Sequence, residues 1–338
     1  MKNKPLFGRK FETCARNYNK FGTCLQRVRG NFRINDKLHE IIISSVLLLF
    51  REKVLLLCAI INREMNELTP QLEAKLKNIE DWFSERNGSI VAFSGGIDSS
   101  LVLFLARKVQ GREKAIGVIS RSESLKTKDF ELAEQFCQDL DIQLEVIYTQ
   151  ELSDERYSAN PENRCFICKE YLYHSLRTIS QKYPSFDIIS GTNYNDLGDY
   201  RPGLQSAANH NIQAPLVQCQ VTKEDIRQLA LYFGLPNWNK PASPCLSSRI
   251  PYNQTITLEK LQQVEKAESL LNDLGFIDVR VRHYGNYAKV EVPAEELGKL
   301  QPISDLIISK IKALGFEDVH IDQEGLVSGK LNRSIINK

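Results

Sequence analysis

The sequence lacks an uninterrupted apolar run long enough to cross a membrane. Its most apolar stretch, Ile41–Ile61, is broken by charged residues at 51–53. Charges at the centre of a membrane span are costly, so the sequence predicts neither a transmembrane helix nor a membrane partner. The first thirty residues also lack the apolar core of a secretory signal peptide, and we therefore expect a cytoplasmic protein.

The eight cysteines lack the dense spacing of a small secreted framework. They are scattered over 338 residues, and only Cys165 and Cys168 form a close pair. In a chain of this length such a pair indicates metal or redox chemistry rather than a disulfide scaffold. Repeats and low-complexity segments are also missing, and the composition, 42% hydrophobic and 25% charged, is that of a globular protein.

A strong overall charge is missing too. The net charge is only +2, which does not indicate a nucleic-acid partner, but residues 1–64 carry 13 basic and 5 acidic residues. We therefore predict a basic extension at 1–64, a main domain at 65–250 and a smaller domain at 251–338. The extension either binds an acidic partner or is an upstream addition foreign to the native protein. We favour the second interpretation and expect activity to survive its removal.

Short apolar strands alternate with helices in the main domain. Helices are predicted at 99–109, 128–140, 170–182 and 223–233, the second with Leu132, Phe136 and Leu140 on its apolar face. The predicted strands are Ser89–Phe93, Ala115–Ser120, Leu144–Tyr148, Phe186–Ser190 and a short fifth strand, Ala214–Val217. This alternation predicts an α/β fold with a parallel sheet between helices, and ligands bind such sheets at the carboxyl ends of the strands.

The pattern changes after residue 257. A helix at 258–274 is followed by strands at 279–282 and 288–292, a helix at 303–314 and a strand at 319–321. These elements predict a small C-terminal α+β domain.

The strongest motif, SGGIDSS, directly follows the first strand and opens a helix. Its glycines allow a tight turn close to an anion, and the amides of the helix start favour a pyrophosphate. Hydroxyl groups add donors, and Asp98 could hold Mg²⁺. The GxxxxGK[ST] lysine is missing, so this is not a Walker A loop. The alternative is a turn without a ligand. The predicted nucleotide-binding residues are Ser94, Gly95, Gly96, Asp98, Ser99 and Ser100.

A second polar loop follows the fourth predicted strand. A concentration of Gly, Asn, Asp and Arg at that place is typical of a binding loop, although ordinary turn chemistry uses the same residues. The candidate binding residues of this loop are Gly191, Thr192, Asn193, Asp196 and Arg201.

Three cysteines could converge at the ligand edge of the sheet. Cys165 and Cys168 lie between the third and fourth strands, and Cys245 follows the fifth. The basic residues Arg164, Lys169 and Arg249 flank them, and nearby positive charge favours thiolates, which are nucleophiles and soft metal ligands. The alternatives are half of a zinc site, a redox pair or thiols without a ligand.

Arg280 and Arg282 alternate along a predicted strand of the C-terminal domain. Alternate residues of a strand point to one face, and two arginines on one face suit a phosphate. The alternative is a solvated strand face. His283 would point to the opposite side, where we expect a structural role.

From about Met65 to Asn332 the chain resembles the LarE family, ATP-dependent sulfur transferases of nickel-pincer nucleotide biosynthesis within the PP-loop ATP pyrophosphatases. The matching stretches are SGGIDSS, NRCFICK, GTNYNDLGDYRPG, KPASPCLSSRIPY and VRVRHYG. The resemblance implies a PP-loop domain of the adenine nucleotide alpha hydrolase type that uses ATP and Mg²⁺. It also implies a homo-oligomer, for which the resemblance suggests a hexamer.

The resemblance implies a reaction as well. A carboxylate of pyridinium-3,5-biscarboxylic acid mononucleotide is adenylated, and sulfur then displaces AMP. Either Cys245 is sacrificed as the donor, or Cys165, Cys168 and Cys245 hold a [4Fe–4S] cluster that carries an extra sulfide. We favour the cluster. Arg249, Arg280 and Arg282 are predicted to bind the nucleotides.

Two other enzyme classes remain open. A PP-loop tRNA thiolase would adenylate a base, but no RNA-binding module is recognisable in the sequence. An amide-forming synthetase would give the cysteines no role.

Overall fold

The computed structural model describes residues 67–198, 202–327 and 329–333. The described parts of 70–231 and 235–338 belong to one compact unit. No helix in these ranges combines the length and apolarity needed to cross a membrane. The predicted extension at 1–64 and the candidate Arg201 lie outside the described residues, and the predicted domain boundaries stay predictions.

The main domain alternates strands and helices, as the sequence predicts. Its strands are β1 Ser89–Ala92, β2 Ala115–Ser120, β3 Gln143–Ile147 and β4 Asp187–Ser190. Its longer helices are α1 Pro70–Ser84, α2 Ile97–Gln110, α3 Thr127–Asp139, α5 Arg164–Ser180, α6 Pro202–Asn209 and α8 Lys223–Tyr232. Two single-turn helices separate them, α4 Glu155–Ser158 and α7 Pro215–Gln218.

The strands form a parallel sheet in the order β3–β2–β1–β4. The register pairs Ser89 of β1 with Ala115 of β2 and with Asp187 of β4. Because the strands run the same way, their carboxyl ends meet at one edge, where the loops after β1 and β4 come together. Apolar side chains of the sheet and of α5 form a core that includes Ile90, Ile116, Val118, Tyr173, Leu176 and Ile179.

Three details of the prediction for this domain are wrong. The fifth strand, 214–217, is the helical turn α7, and near it only Gln213 forms a β-bridge, to Ile189. Pro215 explains this, because proline suits the first position of a helix and cannot donate to a sheet. The helix predicted to begin at residue 170 begins at Arg164, so the close cysteine pair lies within its first two turns. Leu132 is half-exposed, whereas Phe136 is buried as predicted, together with Phe130, Ala133 and Cys137.

The C-terminal part contains the helices and strands that the sequence predicts, with small shifts at their ends. They are α9 Leu258–Asp273, β5 Arg280–His283, β6 Tyr287–Glu291, α11 Ser304–Lys312 and β7 Asp318–Ile321. A single-turn helix that the sequence did not predict, α10 Leu297–Leu300, lies between β6 and α11. The strand β6 pairs antiparallel with β5 and parallel with β7. One face of this sheet packs its valines against α9 and α11, which leaves Arg280, Arg282 and Glu291 on the other face.

Candidate active site

The SGGIDSS loop turns between the end of β1 and the start of α2. Gly95 has φ +70, a left-handed conformation that glycine adopts without strain. The Ser94 hydroxyl accepts a hydrogen bond from the Gly96 amide at 3.3 Å, and the Ser99 hydroxyl accepts one from the Ser94 amide at 3.2 Å. The two hydroxyls lie 3.1 Å apart. The loop is thus preorganised, with hydroxyl groups gathered at the N-terminus of a long helix.

The loop after β4 touches the start of α2 backbone to backbone. A Cβ atom at Gly191 would lie 2.7 Å from the Ser99 amide nitrogen. Farther along this loop, the buried Asp196 carboxylate accepts a hydrogen bond from the Asn193 amide at 3.0 Å. Thr192 shares a hydrogen bond of 3.0 Å with the last residue of β4. The fold therefore brings both predicted binding loops together.

Lys223 joins this site, although the sequence placed it only in a helix. Its ammonium lies 2.6 Å from each carboxylate oxygen of Asp98, the residue predicted to hold Mg²⁺. The Lys223 amide donates to Asn195 in the loop after β4 at 2.8 Å. A sequence signal does exist, because Thr222 and Asp225 form a reciprocal cap that fixes the start of α8 at this lysine.

Residues 237–246 connect the SGGIDSS loop with Cys245. Asn237 donates to the Ser100 hydroxyl at 2.8 Å and to the Gly95 carbonyl at 3.3 Å. Farther along, Asp129 of α3 accepts a hydrogen bond from Ser243 at 2.6 Å and pairs with Lys240 at 2.9 Å. The residue after Cys245 then donates its amide to Ser124 at 2.8 Å. Sequence spacing gave no sign of Asn237 or Asp129 as partners, because both contacts are tertiary.

The three cysteines of the predicted sulfur site lie on two neighbouring segments: Cys165 and Cys168 on α5, and Cys245 on the loop whose Ser247 carbonyl accepts a hydrogen bond from Arg164. Cys165 and Cys245 are exposed and Cys168 is half-buried. Cys245 and Cys165 lie near enough to Cys168 to contribute to the upward shift of its pKa. Arg164 is buried beside them. Burial by itself lowers the pKa of Arg164, whereas Cys245 and Cys165 raise it, and the pKa is raised overall. The guanidinium therefore remains a fixed positive charge beside these thiols.

Cys168 faces a carboxylate as well as the other thiols. Its sulfur lies 3.8 Å from Oε1 of the buried Glu151, whose Oε2 has no hydrogen-bond partner among the described residues. Burial and Glu151 together raise the pKa of Cys168 to about 12. The thiol is therefore protonated at neutral pH in this state, and bound metal would reverse that preference.

Arg249 holds the Cys245 loop in shape. Its side chain is 1% exposed, and its Nη1 donates to the carbonyl of Pro244 at 2.8 Å and to that of Cys245 at 3.3 Å. Its other nitrogens pair with the buried Glu268 at 2.8 and 3.2 Å. Glu268 also accepts from the Val281 amide at 3.0 Å, which ties the cysteine loop to β5. This position suits Arg249 to fixing Cys245, and direct contact with a nucleotide stays a prediction.

The predicted arginine pair lies on one face of β5. Arg282 pairs with Glu291 at 3.0 Å and donates to the Ser248 carbonyl at 2.8 Å, so this face adjoins the cysteine loop. Arg280 is 7% exposed, and its Nε has no hydrogen-bond partner in the described part of the chain. Burial, followed by the charges of Arg249 and Arg282, lowers the pKa of Arg280. An anion would relieve this crowding of positive charge. His283 points into the core, where its ring packs against Phe316.

The described residues contain no group of three or more His, Cys, Asp or Glu side chains placed to hold a single metal ion. The arrangement therefore gives no support to a mononuclear zinc site built from the cysteines. A cluster differs, because each iron takes its own thiolate and the ligands stand farther apart.

Known proteins resemble nearly the whole chain after the basic extension. The family model described as NAD synthase matches residues 66–181. An uncharacterized protein of Synechocystis sp. is 41% identical over 264 residues, 78% of this chain and 98% of its own length. The pyridinium-3,5-bisthiocarboxylic acid mononucleotide synthase of Lactiplantibacillus plantarum is 36% identical over 245 residues, 72% of this chain and 89% of its own.

A further relative comes from an archaeon. An uncharacterized protein of Methanocaldococcus jannaschii is 30% identical over 253 residues, 74% of this chain and 95% of its own length. The match to the named synthase, over 245 residues, extends well beyond the residues 66–181 that the family model covers. The chain belongs to the family of pyridinium-3,5-bisthiocarboxylic acid mononucleotide synthases, the LarE family.

Proposed function

We propose that this protein uses ATP and Mg²⁺ to convert a carboxylate of pyridinium-3,5-biscarboxylic acid mononucleotide into a thiocarboxylate, in the biosynthesis of the nickel-pincer nucleotide. The observation that carries the proposal is the segment 237–246. It is hydrogen-bonded at one end to the SGGIDSS loop, and it bears Cys245 at the other. An activating site and a sulfur site are thereby joined by a few residues.

In the first step, the substrate carboxylate attacks the α-phosphate of ATP, pyrophosphate leaves and an acyl-adenylate forms. The amides at the start of α2, with the hydroxyls of Ser94 and Ser99, suit the leaving pyrophosphate. Lys223 neutralises Asp98 in this state. With nucleotide bound, Asp98 would hold Mg²⁺ and Lys223 would turn to a phosphate oxygen.

In the second step, sulfur attacks the activated carbon and AMP leaves, which gives the thiocarboxylate. The mononucleotide phosphate would bind Arg280, the buried arginine whose Nε lacks a partner. Arg282 donates to Ser248, three residues after Cys245, so the arginine face and the sulfur site are neighbours. Substrate held there would present its carboxylates toward Cys245.

For the sulfur donor we propose a [4Fe–4S] cluster held by Cys165, Cys168 and Cys245. The donor set fits in number and in charge: the three thiols lie near the buried Arg164 and the half-buried Lys169, which offset anionic ligands. Such a cluster, when bound, supplies a renewable sulfide at its unligated iron. Without a cluster, Cys245 itself would be the donor and would be consumed.

Intact-mass measurement after turnover tests the function and the donor together. The protein is incubated anaerobically with ATP, Mg²⁺ and the pyridinium mononucleotide, and AMP, pyrophosphate and thiocarboxylate are quantified. We expect substrate-dependent AMP, thiocarboxylate product and an unchanged polypeptide mass. Loss of one hydrogen sulfide per chain would show that Cys245 is sacrificed. Absence of substrate-dependent AMP would overturn the proposed function.

A tRNA thiolase is the second candidate, and only the cysteine set favours it. Unfractionated tRNA added to the same assay separates the two, since AMP formation that depends on tRNA would support the thiolase. The cytoplasmic location and the homo-oligomer stay predictions.

A further inference from the structure

We infer that Asn160 is a positioning residue that fixes the helix bearing Cys165 and Cys168 against the loop bearing Cys245. The inference rests on the proposed function for its purpose, because it concerns how the sulfur site is assembled. The geometry of the junction is observed independently of that function, in the backbone and the hydrogen bonds of Asn160. Among the described residues, Asn160 forms no hydrogen bond with the SGGIDSS loop or with a cysteine.

The backbone of Asn160 is the first observation. The residue lies between α4 and α5, is completely buried and has φ +57. This left-handed conformation disfavours side chains in general, and asparagine and glycine tolerate it best. Glycine would satisfy the backbone alone, so the buried amide side chain needs a separate explanation.

The amide group supplies that explanation, because it binds the chain that follows the Cys245 loop. Asn160 Nδ2 lies 3.1 Å from the carbonyl of Ile250, 2.7 Å from that of Pro251 and 3.1 Å from that of Gln254. The Asn160 carbonyl accepts the amide of Asn253 at 2.9 Å. A buried carbonyl without a hydrogen-bond donor costs free energy. These hydrogen bonds therefore favour a single position of residues 250–254 relative to Asn160.

The other side of the amide reaches the cysteine helix. Asn160 Oδ1 accepts a hydrogen bond from Nη1 of Arg164, the first residue of α5. The same nitrogen donates to the Ser247 carbonyl at 3.0 Å. Arg164 precedes Cys165, and Ser247 lies two residues after Cys245. Nη1 of Arg164 therefore links α5 to the Cys245 loop, and its hydrogen bond to Asn160 fixes its position.

A parallel contact strengthens the junction. The hydroxyl of Tyr157 on α4 shares a buried hydrogen bond of 2.7 Å with the Ser247 hydroxyl. Asn160, Arg164, Tyr157 and Ser247 thus form a polar layer beneath the thiols, here called the clamp. Because hydrogen bonds specify direction as well as distance, the clamp fixes the spacing between Cys245 and the cysteine helix.

Thiol cross-linking in the full-length protein, reduced and stripped of metal, tests the clamp. Dibromobimane joins two neighbouring thiols, and peptide mapping distinguishes the Cys165–Cys168 link from links to Cys245. The test variant is Asn160→Gly, which keeps the left-handed backbone. The matched control is Asn211→Gly, the same exchange at a distant residue with φ 54.

We expect the links to Cys245 to form about tenfold more slowly in Asn160→Gly, since buried hydrogen bonds to several carbonyls are lost. The Cys165–Cys168 link should not change, because α5 itself fixes that spacing. The Asn211 variant should match the wild type. A merely structural role would lower the melting temperature and leave the ratio of the two links unchanged in folded protein, and that outcome overturns the inference.

A second variant covers the case in which Asn160→Gly does not fold. Arg164→Lys keeps the buried positive charge but cannot reach Asn160 and Ser247 together. It should also slow the links to Cys245 selectively, and unchanged links would contradict the clamp. The assay needs no ATP, substrate or sulfur transfer. It therefore fails or succeeds independently of the proposed function.

Discussion

The backbone of Gly191 lies against the backbone of Ser99, so closely that a Cβ atom at residue 191 would stand 2.7 Å from the Ser99 amide nitrogen. This contact joins the loop after β4 to the start of α2, where the predicted nucleotide loop ends. Neither backbone can move away without changing the site, since each directly follows or opens a regular element.

The first prediction follows from that contact. Gly191→Ala should weaken ATP binding at least about tenfold, because overpacking at this point displaces the helix start that receives the phosphates. Isothermal titration with ATP and Mg²⁺ measures the change. Gly198→Ala is the control, since a Cβ atom there would meet nothing within 4 Å. Equal affinities in the two variants would contradict the assignment of this loop to the nucleotide site.

The second prediction concerns Lys223. Lys223→Gln should slow pyrophosphate release by about 10- to 100-fold, the effect of losing one charge-assisted contact to a phosphate. A coupled assay for pyrophosphate measures it. The control is Lys310→Gln, an exposed lysine of α11. If Lys223 only neutralises Asp98, the variant should instead keep its rate and show altered magnesium affinity.

The third prediction separates the sulfur step from activation. Cys245→Ala should abolish thiocarboxylate formation and leave ATP binding intact, because Cys245 lies at the far end of the segment that Asn237 attaches to the nucleotide loop. Cys219→Ala is the matched control, a half-buried cysteine outside the predicted sulfur site. Thiocarboxylate formed by the Cys245 variant would show that this thiol is neither donor nor required ligand.

The sequence predicted the parallel sheet and the positions of the two candidate loops after β1 and β4, because alternating apolar patterns and glycine turns are local signals. It misplaced residues 214–217, where a short apolar stretch fits a strand or a helix and Pro215 decides. It gave Lys223, Asn237 and Asn160 no role in the site. Their partners lie far away along the chain, so only the folded structure reveals them.

Arg249 shows the same limit of sequence-based prediction for a residue that the sequence did place near the site. Its position near Cys245 in the sequence suggested a positive charge that favours a thiolate, and we also predicted that it binds a nucleotide. In the structure its guanidinium is enclosed between Glu268 and the carbonyls of the cysteine loop. Residue type and spacing identified the neighbourhood, whereas the direction of the side chain depends on a buried acid contributed by α9.

The fourth prediction tests that pairing. Arg249→Met should lower the free energy of unfolding by about 3–5 kcal/mol, since Glu268 would keep a buried charge with only Lys126 as ion-pair partner. Adding Glu268→Gln to this variant should recover part of the loss. Urea denaturation of the two single variants and the double variant gives the coupling energy. Additive losses would show that the pair contributes no coupling.

The fifth prediction concerns the pH dependence of stability through His283. Burial lowers the pKa of this histidine to about 4 from its ordinary 6.5, so the folded state binds fewer protons than the unfolded state between these values. Its contribution to stability is therefore complete above pH 6.5 and is lost as the pH falls toward 4. Over that window we expect a loss on the order of 2 kcal/mol from this group.

Urea denaturation of His283→Asn and His320→Asn between neutral and acidic pH isolates this contribution. His320 lies exposed beside Asp318, and the same exchange there serves as the control for replacing a histidine outside the core. His283→Asn should be less stable at neutral pH, because it loses the packing against Phe316, yet its stability should fall less steeply on acidification. The same slope in both variants would mean that His283 titrates alike in the folded and unfolded states, and that burial at this position does not govern its proton affinity.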